Sequence, residues 1–404
     1  MNDLEVKNLI EREDKRQKES LCLIASENIV SDDVREALGS ILTNKYAEGY
    51  PSKRYYAGNE VIDEVENVAI ERVCKLFGSK FANVQPHSGS PANMAVYFAL
   101  MEYNDKFMGL DLSHGGHLTH GSPVNFSGKL YKPVHYQVKK DGYLDYDAIE
   151  KTAKLEKPKL IQCGYTAYPR LIDFKRFREI ADSVDAYLMC DVAHTAGLIA
   201  GKALPSPVEY ADVVTFTTHK TLRGPRGGAI IWNNEELTKK INSAIFPGLQ
   251  GGPHENTIAA KAVCFKEAMT QEFQNYSQKV IKNAHVLAEE LKNKEFNLVT
   301  GGTDTHLILI DLHNKGITGK EAQTWLEQSN IICNRNTVPY DDKSPFITSG
   351  IRLGTPTLTT RGLNEQNMKE VAEFIDEVIT GKGEKQIKEK VIDYSSKFPT
   401  FKFS

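Results

Sequence analysis

Residues 213 to 228 read Val213-Val214-Thr215-Phe216-Thr217-Thr218-His219-Lys220-Thr221-Leu222-Arg223-Gly224-Pro225-Arg226-Gly227-Gly228. The first five are β-branched or aromatic and predict a buried strand. That strand delivers a lysine to its end, beside a glycine-rich turn that lets other groups approach closely. Arg226 is near enough in sequence to disfavour the ammonium form, which makes Lys220 a candidate amine nucleophile. A lone lysine at a strand end is ordinarily a solvated side chain. The Thr-Thr-His before this one and the Gly-Pro-Arg-Gly-Gly after it set it apart.

On either side of this segment, strand-like runs at Lys159 to Gln162, Ala186 to Cys190 and Ala229 to Trp232 alternate with helical stretches such as Phe174 to Ser183. Alternation of this kind predicts an α/β fold with a largely parallel, doubly wound sheet. A helix over Asp63 to Phe77 is expected to close on a left-handed cap at Gly78. After the Gly/Pro-rich stretch Phe246 to Pro253, a long helical pattern runs to about 294. It is followed by a strand at Leu307 to Asp311 and helices at Lys320 to Glu327 and Glu365 to Ile379, which read as a smaller α+β domain. Residues 2 to 20 are rich in Glu, Lys and Arg with sparse apolar points, an exposed helix or arm needing a partner surface. The expected division is an arm over 1–45, a large domain over 46–270 and a small one over 271–404.

The chain has 404 residues, enough for two or three structural units and a sizeable core. Fifty Lys and Arg against 53 Asp and Glu leave a formal charge of −3, too weak a field to attract phosphate backbones or anionic lipid. No nucleic-acid or membrane partner is expected, and small-molecule chemistry is favoured. Six widely spaced cysteines without Cys-x-x-Cys, a charged N-terminus and no 18-residue apolar run point to a reduced, cytoplasmic setting.

A lysine poised to form an imine suggests pyridoxal phosphate, which needs an acid for its pyridine nitrogen and a cradle for its phosphate. Asp191 ends a predicted strand at the carboxyl edge, where open α/β sheets place ligands. The segment Gln85-Pro86-His87-Ser88-Gly89-Ser90-Pro91-Ala92-Asn93 leads into an apolar helical run. With Ser90 at the N-cap, Pro91 first in the helix and Gly89 permitting close approach, it forms a candidate phosphate cup. Histidines crowd Ser113-His114-Gly115-Gly116-His117-Leu118-Thr119-His120-Gly121. Gly115-Gly116 break the helix that would align them, and no Asp, Glu or Cys completes a ligand set, so no metal is assigned. An imidazole lying against a flat cofactor is the better use. Arg352, between glycines in Ser349 to Pro356, suits a bidentate clamp on a substrate carboxylate. The aromatic stretch Asn44 to Gly58, with phenols beside Glu48, suits a site that moves protons.

Taken together, Ile24 to Asn28, Tyr46 to Gly58, His87 to Ala92, His114 to Gly128, Asp191 to Gly197, Thr217 to Gly228, Gln250 to Pro253 and Ser349 to Pro356 resemble the serine hydroxymethyltransferases. The resemblance implies pyridoxal-phosphate fold type I, like aspartate aminotransferase, with a mostly parallel seven-stranded sheet. It implies that Lys220 holds pyridoxal 5'-phosphate covalently, Asp191 pairs with the ring nitrogen and His117 stacks on the ring. Gly89 and Ser90 would bind the phosphate with His219 nearby, His194 would sit close to the ring hydroxyl, and Thr166 and Thr217 would line the cofactor. Ser26 and Arg352 would hold the substrate carboxylate. In a homodimer with shared sites, Tyr46, Glu48, Tyr56, Gly251 and Gly252 would come from the neighbouring subunit, with Glu48 and Tyr56 toward the reacting carbon. Tyr55, Leu112, Gly116, Leu118 and Asn336 match positions that contact the folate. Thr166, Thr195 and Phe216 depart from the usual pattern without removing a catalytic group. The implied reaction moves the hydroxymethyl group of L-serine to tetrahydrofolate, giving glycine and 5,10-methylenetetrahydrofolate. A folate-independent threonine aldolase on the same fold is the alternative.

Overall fold

The computed structural model describes residues 2–382 and 387–398. These form two compact units, one of residues 30–278 and one that combines the N-terminal residues up to 29 with those from 279 onward. The expected arm, 1–45, therefore divides between them. Residues Leu21–Cys22 pair in parallel with Ile331–Ile332, and the buried Arg361 guanidinium donates to the carbonyls of Lys18 and Ser20. A strand and a buried cation commit the first part of the arm to C-terminal partners. The helix Leu4–Lys18 ahead of them has no buried residue.

In the unit of residues 30–278, a seven-stranded sheet runs in the order Phe81–Asn83, Gly228–Trp232, Val213–Thr217, Tyr187–Asp191, Leu160–Cys163, Lys106–Leu110, Lys132–Tyr136. Gly228–Trp232 is antiparallel to both its neighbours, and every other pairing is parallel. Strands buried on both faces read as near-continuous buried runs rather than alternating, and any polar side chain in them needs a partner. All residues of Val213–Thr217, Gly228–Trp232 and Leu160–Cys163 are buried accordingly. Parallel pairing also brings the carboxyl ends of the strands ending at Leu110, Cys163, Asp191 and Thr217 to one edge. The loops that follow carry His117, Thr166, His194 and Lys220.

The helix Glu60–Phe77 ends as expected, on Gly78 at φ 73°, whose N–H bonds the Cys74 carbonyl at 2.8 Å. The helix after the candidate phosphate cup spans Gly89–Leu100, with Ser88 as its N-cap. The expected cap at Ser90 is thus corrected by two residues. Pro91 sits within the first turn, where its missing N–H would have had no intrahelical partner anyway. The long helical pattern to 294 is two helices, Glu255–Ala268 and Gln271–Asn293, interrupted at Met269-Thr270.

The other unit has a four-stranded antiparallel sheet in the order Asn297–Leu298, Leu307–Asp311, Gly350–Gly354, Asn334–Asn336. Helices Gly319–Gln328 and Glu365–Thr380 contribute Ala322, Leu326, Val371 and Ile375 to a core with Ile308, Ile310, Ile351 and Leu353. This is the α+β architecture read from the pattern.

Candidate active site

Asp191 ends its strand with its side chain 10% exposed. Its Oδ2 accepts from Asn93 Nδ2 at 2.8 Å and faces His120 Nε2 at 3.4 Å, and its Oδ1 accepts from the Ala193 N–H at 3.0 Å. Burial by itself would raise its pKa, but the hydrogen bonds from His120 and Asn93, in the polar surroundings that His120 and His117 provide, hold it well below the usual carboxylate range. The sheet edge therefore presents a buried, ionised carboxylate.

Two imidazoles are locked beside it. The Thr119 N–H donates to His117 Nδ1 at 3.2 Å, and the His117 N–H donates to His120 Nδ1 at 3.1 Å. A backbone N–H can only donate, so both Nδ1 atoms are unprotonated and each neutral ring carries its proton on Nε2. His120 thereby points a donor at Asp191. Burial, then His120 and Lys220, lower the His117 pKa from 6.5 to about 4, which leaves it a flat neutral ring at neutral pH. Asn93 ties the group together: its Nδ2 also reaches Thr119 Oγ1 at 2.9 Å, and its Oδ1 accepts from Thr215 Oγ1 at 2.6 Å.

Lys220 follows the strand Val213–Thr217 on a loop that closes on itself. The Thr218 N–H bonds the Gly227 carbonyl at 3.1 Å, the Gly224 N–H bonds the Thr218 carbonyl at 2.7 Å, and Thr218 Oγ1 donates to the Pro225 carbonyl at 2.6 Å. Thr221 Oγ1 donates to the His194 carbonyl at 2.9 Å and joins this loop to the one after Asp191. Burial, with Arg226 and Lys220, lowers the His219 pKa to about 3.

Gly89 opens its helix, and a Cβ there would stand 2.7 Å from Thr217 Cγ2. No side chain caps that N-terminus, which leaves its first N–H groups without a side-chain acceptor at the positive end of the helix dipole. The Thr166 N–H bonds the Gly115 carbonyl at 2.9 Å, which joins two neighbouring loops. Leu112 and Leu118 are each 46% exposed on the histidine-rich loop.

A second group forms within the same unit. Tyr46 and Tyr56 meet edge to face with centroids 5.1 Å apart, and a Cβ on Gly251 or Gly252 would stand 3.0 Å from Glu48 Oε1 or 3.3 Å from the Tyr46 ring. The Glu48 carboxylate raises the Tyr46 pKa by charge and hydrogen bonding. Tyr46, Tyr55 and Tyr56 are all exposed.

The serine hydroxymethyltransferase family profile matches residues 1–375. Proteins of that name from Wolbachia sp. subsp. Drosophila simulans (strain wRi) and Wolbachia pipientis wMel are each 58% identical over 407 residues, covering 99% of this chain and 96% of theirs. The chain belongs to the serine hydroxymethyltransferase family. Serine hydroxymethyltransferases are pyridoxal-phosphate-dependent transferases of fold type I that use serine, glycine and tetrahydrofolate, and the mostly parallel sheet is that fold. The residues present fit the cofactor: an ionised buried acid for a ring nitrogen, a neutral imidazole beside it, an uncapped helix N-terminus that a Cβ at Gly89 would crowd, and a lysine on the adjoining loop.

Ser26, Asn336 and Arg352 lie in the other unit. Arg352 is buried on Gly350–Gly354, where Nε donates to Asn334 Oδ1 at 3.1 Å and burial lowers its pKa to about 10. Gly354 packs so closely on Ala25 that a Cβ would come within 2.5 Å of the Ala25 Cα, which brings Ser26 alongside this strand. Asn336 Nδ2 donates to the Thr337 carbonyl at 2.7 Å. The sequence reading gave no role to Asn93, His120 or Asn334. Asn93 closes the candidate phosphate segment in the sequence, but its acceptor Asp191 lies 98 residues away.

Proposed function

We propose that this chain transfers the hydroxymethyl group of L-serine reversibly to tetrahydrofolate, giving glycine and 5,10-methylenetetrahydrofolate, with pyridoxal 5'-phosphate held covalently by Lys220. The observation that carries this reading is the buried Asp191 carboxylate, kept ionised by His120 and Asn93 beside a neutral His117.

When bound, pyridoxal phosphate supplies an electron sink for breaking a bond at the substrate α-carbon. The ionised Asp191 favours a proton on the ring nitrogen, and its fixed hydrogen bonds remove any need to reorganise as charge moves. His117, neutral and held by Thr119, offers a flat face without a competing positive charge. The N–H groups at Gly89 and Ser90 take the phosphate, with Thr217 alongside; Thr166, His194 and His219 line the cofactor. Arg352 and Ser26 hold the substrate carboxylate, and Asn334 fixes the plane of the guanidinium. Glu48 moves the serine hydroxyl proton, with Tyr56 beside it and Tyr46 and the Gly251-Gly252 turn completing the group. Tyr55, Leu112, Gly116, Leu118 and Asn336 contact the folate. The exposed pair Leu112 and Leu118 supports the folate reading over a folate-independent aldolase.

The proposed assembly is a homodimer, supported by the exposure of Tyr46 and Tyr56 beside Glu48. The proposed location is cytoplasmic, which suits six free thiols. Among the described residues, no helix is long and apolar enough to cross a membrane.

The test is serine cleavage with and without tetrahydrofolate, together with the visible absorbance of the protein-bound cofactor. Folate-dependent cleavage is expected, and Lys220→Ala should lose both turnover and the lysine-bound absorbance. Equal cleavage without folate would favour the aldolase, and absorbance retained in Lys220→Ala would reject that lysine.

A further inference from the structure

The carbonyls of Ala47, Glu48 and Gly49 are each held by a hydrogen bond. A two-residue hairpin pairs Gly49 with Arg54 and Tyr50 with Lys53, and the Tyr55 N–H donates to the Glu48 carbonyl at 3.0 Å. Arg54 Nη1 donates to the Ala47 carbonyl at 2.9 Å and to the Gly49 carbonyl at 3.0 Å, one on each side of Glu48. The rest of the guanidinium faces inward: Nε bonds Asp63 Oδ1 at 2.8 Å and Nη2 bonds Glu66 Oε2 at 2.7 Å. Gln85 Nε2 adds a second donor to the Gly49 carbonyl at 2.9 Å and bonds Glu66 Oε1 at 2.8 Å.

The Arg54 side chain is 4% exposed and that of Glu66 is 1% exposed, so the fork acts where water cannot replace it. Asp63 in turn accepts from the Ser52 N–H at 2.7 Å and so holds the hairpin turn. Gly49, at φ 100°, admits no side chain, because a Cβ would collide with the Lys53 carbonyl. The backbone around Glu48 thus has one geometry, set by a planar cation reaching two carbonyls and two carboxylates at once.

We propose that Arg54, with Gln85 as second donor, is a positioning residue that aims the Glu48 carboxylate for proton transfer. The proposal rests on the reading that Glu48 moves the serine hydroxyl proton. Lysine at position 54 would keep a positive charge near Asp63 and Glu66, but as a point donor it could not span the four acceptors. The charge balance survives and the aim is lost.

The experiment compares wild-type holoenzyme with Arg54→Lys, Glu48→Gln and the double variant, measuring kcat and KM for serine, cofactor affinity, and glycine affinity from the spectral shift. Arg54→Lys is expected to lower kcat at least tenfold while cofactor and glycine affinities stay within twofold. The double variant should be no slower than Glu48→Gln alone, because an unaimed base and an absent base are the same defect. Multiplying losses in the double variant, an unchanged kcat in Arg54→Lys, or cofactor and glycine binding that fall in step with kcat would overturn the proposal. If Glu48→Gln itself turns over serine normally, the assigned role of Glu48 fails first, and that result is separate from the others. Should Arg54→Lys not fold, Gln85→Met carries the same comparison with the Arg54 ion pairs intact. It should lower kcat, again without effect in a Glu48→Gln background; an unchanged kcat would overturn the proposal.

Discussion

The imidazole of His117 is half-buried without becoming charged, and that choice has a cost in acid. A histidine whose pKa is lower folded than unfolded binds fewer protons when folded, so acid favours the unfolded chain. With a shift from 6.5 to about 4, the contribution of His117 is fully present above pH 6.5 and is lost as pH falls toward 4. Between pH 7 and pH 5 this one group is expected to cost about 2 kcal/mol of stability. Denaturant unfolding at the two pH values checks it: wild type should lose more stability than His117→Phe, and equal losses would show that His117 titrates normally. Arg352 is buried, but keeps its charge, since about 10 still lies above neutral pH. Arg352→Ala is expected to weaken serine binding by on the order of 2 to 5 kcal/mol, read from KM and glycine affinity. Arg352→Lys should recover only part of this, because it cannot keep the Nε bond to Asn334.

At the scale of elements, the helix Gly89–Leu100 and the strand Val213–Thr217 approach so closely at Gly89 that an added methyl group would not fit. Gly89→Ala would place a Cβ 2.7 Å from Thr217 Cγ2, so one of the two must shift. We expect weaker cofactor binding in Gly89→Ala and partial recovery in Gly89→Ala/Thr217→Ser. Serine deletes the offending methyl and keeps the hydroxyl bond to the Ala193 carbonyl at 3.2 Å. Cofactor affinity in the two variants decides it; no recovery would mean that the crowding lies elsewhere. The placement of this helix was legible from its apolar run, but its start was not. Pro91 drew the expected cap to Ser90, and only the backbone, extended at Ser88 with φ −160°, moves it to Ser88.

For the whole molecule, the proposed dimer has a direct test. Lys220→Ala and Tyr56→Phe, each nearly inactive, are dissociated together and reassembled. If each site takes Lys220 from one chain and Tyr56 from the other, every mixed dimer has one site with both lesions and one with neither. Random pairing then restores roughly a quarter of wild-type sites. No recovery, with mixed dimers confirmed by differential tagging, would reject shared sites. The division of the chain belongs to this scale as well. Residues up to 29 join the unit that begins at 279, a partnership across some 300 residues that no local composition shift announces.

Sequence alone determined whatever depends on local order. The β-branched and aromatic run of Val213–Thr217, the glycine-rich turn beyond Lys220, Gly78 at a helix end and the long motifs around His117 and Arg352 carry their meaning in neighbouring residues, because strand burial, turn geometry and motif matching are all properties of short segments. Tertiary structure decided what depends on distance. Asn93 acquires its purpose only when the sheet brings Asp191 within 2.8 Å, and His120 only when its ring faces the same oxygen. Arg54 looks like any basic residue in a polar loop until folding buries it between Asp63, Glu66 and the carbonyls flanking Glu48. Hydrogen bonds act over about 3 Å, whereas the residues that make these ones lie five to 98 positions apart, so a linear reading can name the groups but not their pairing.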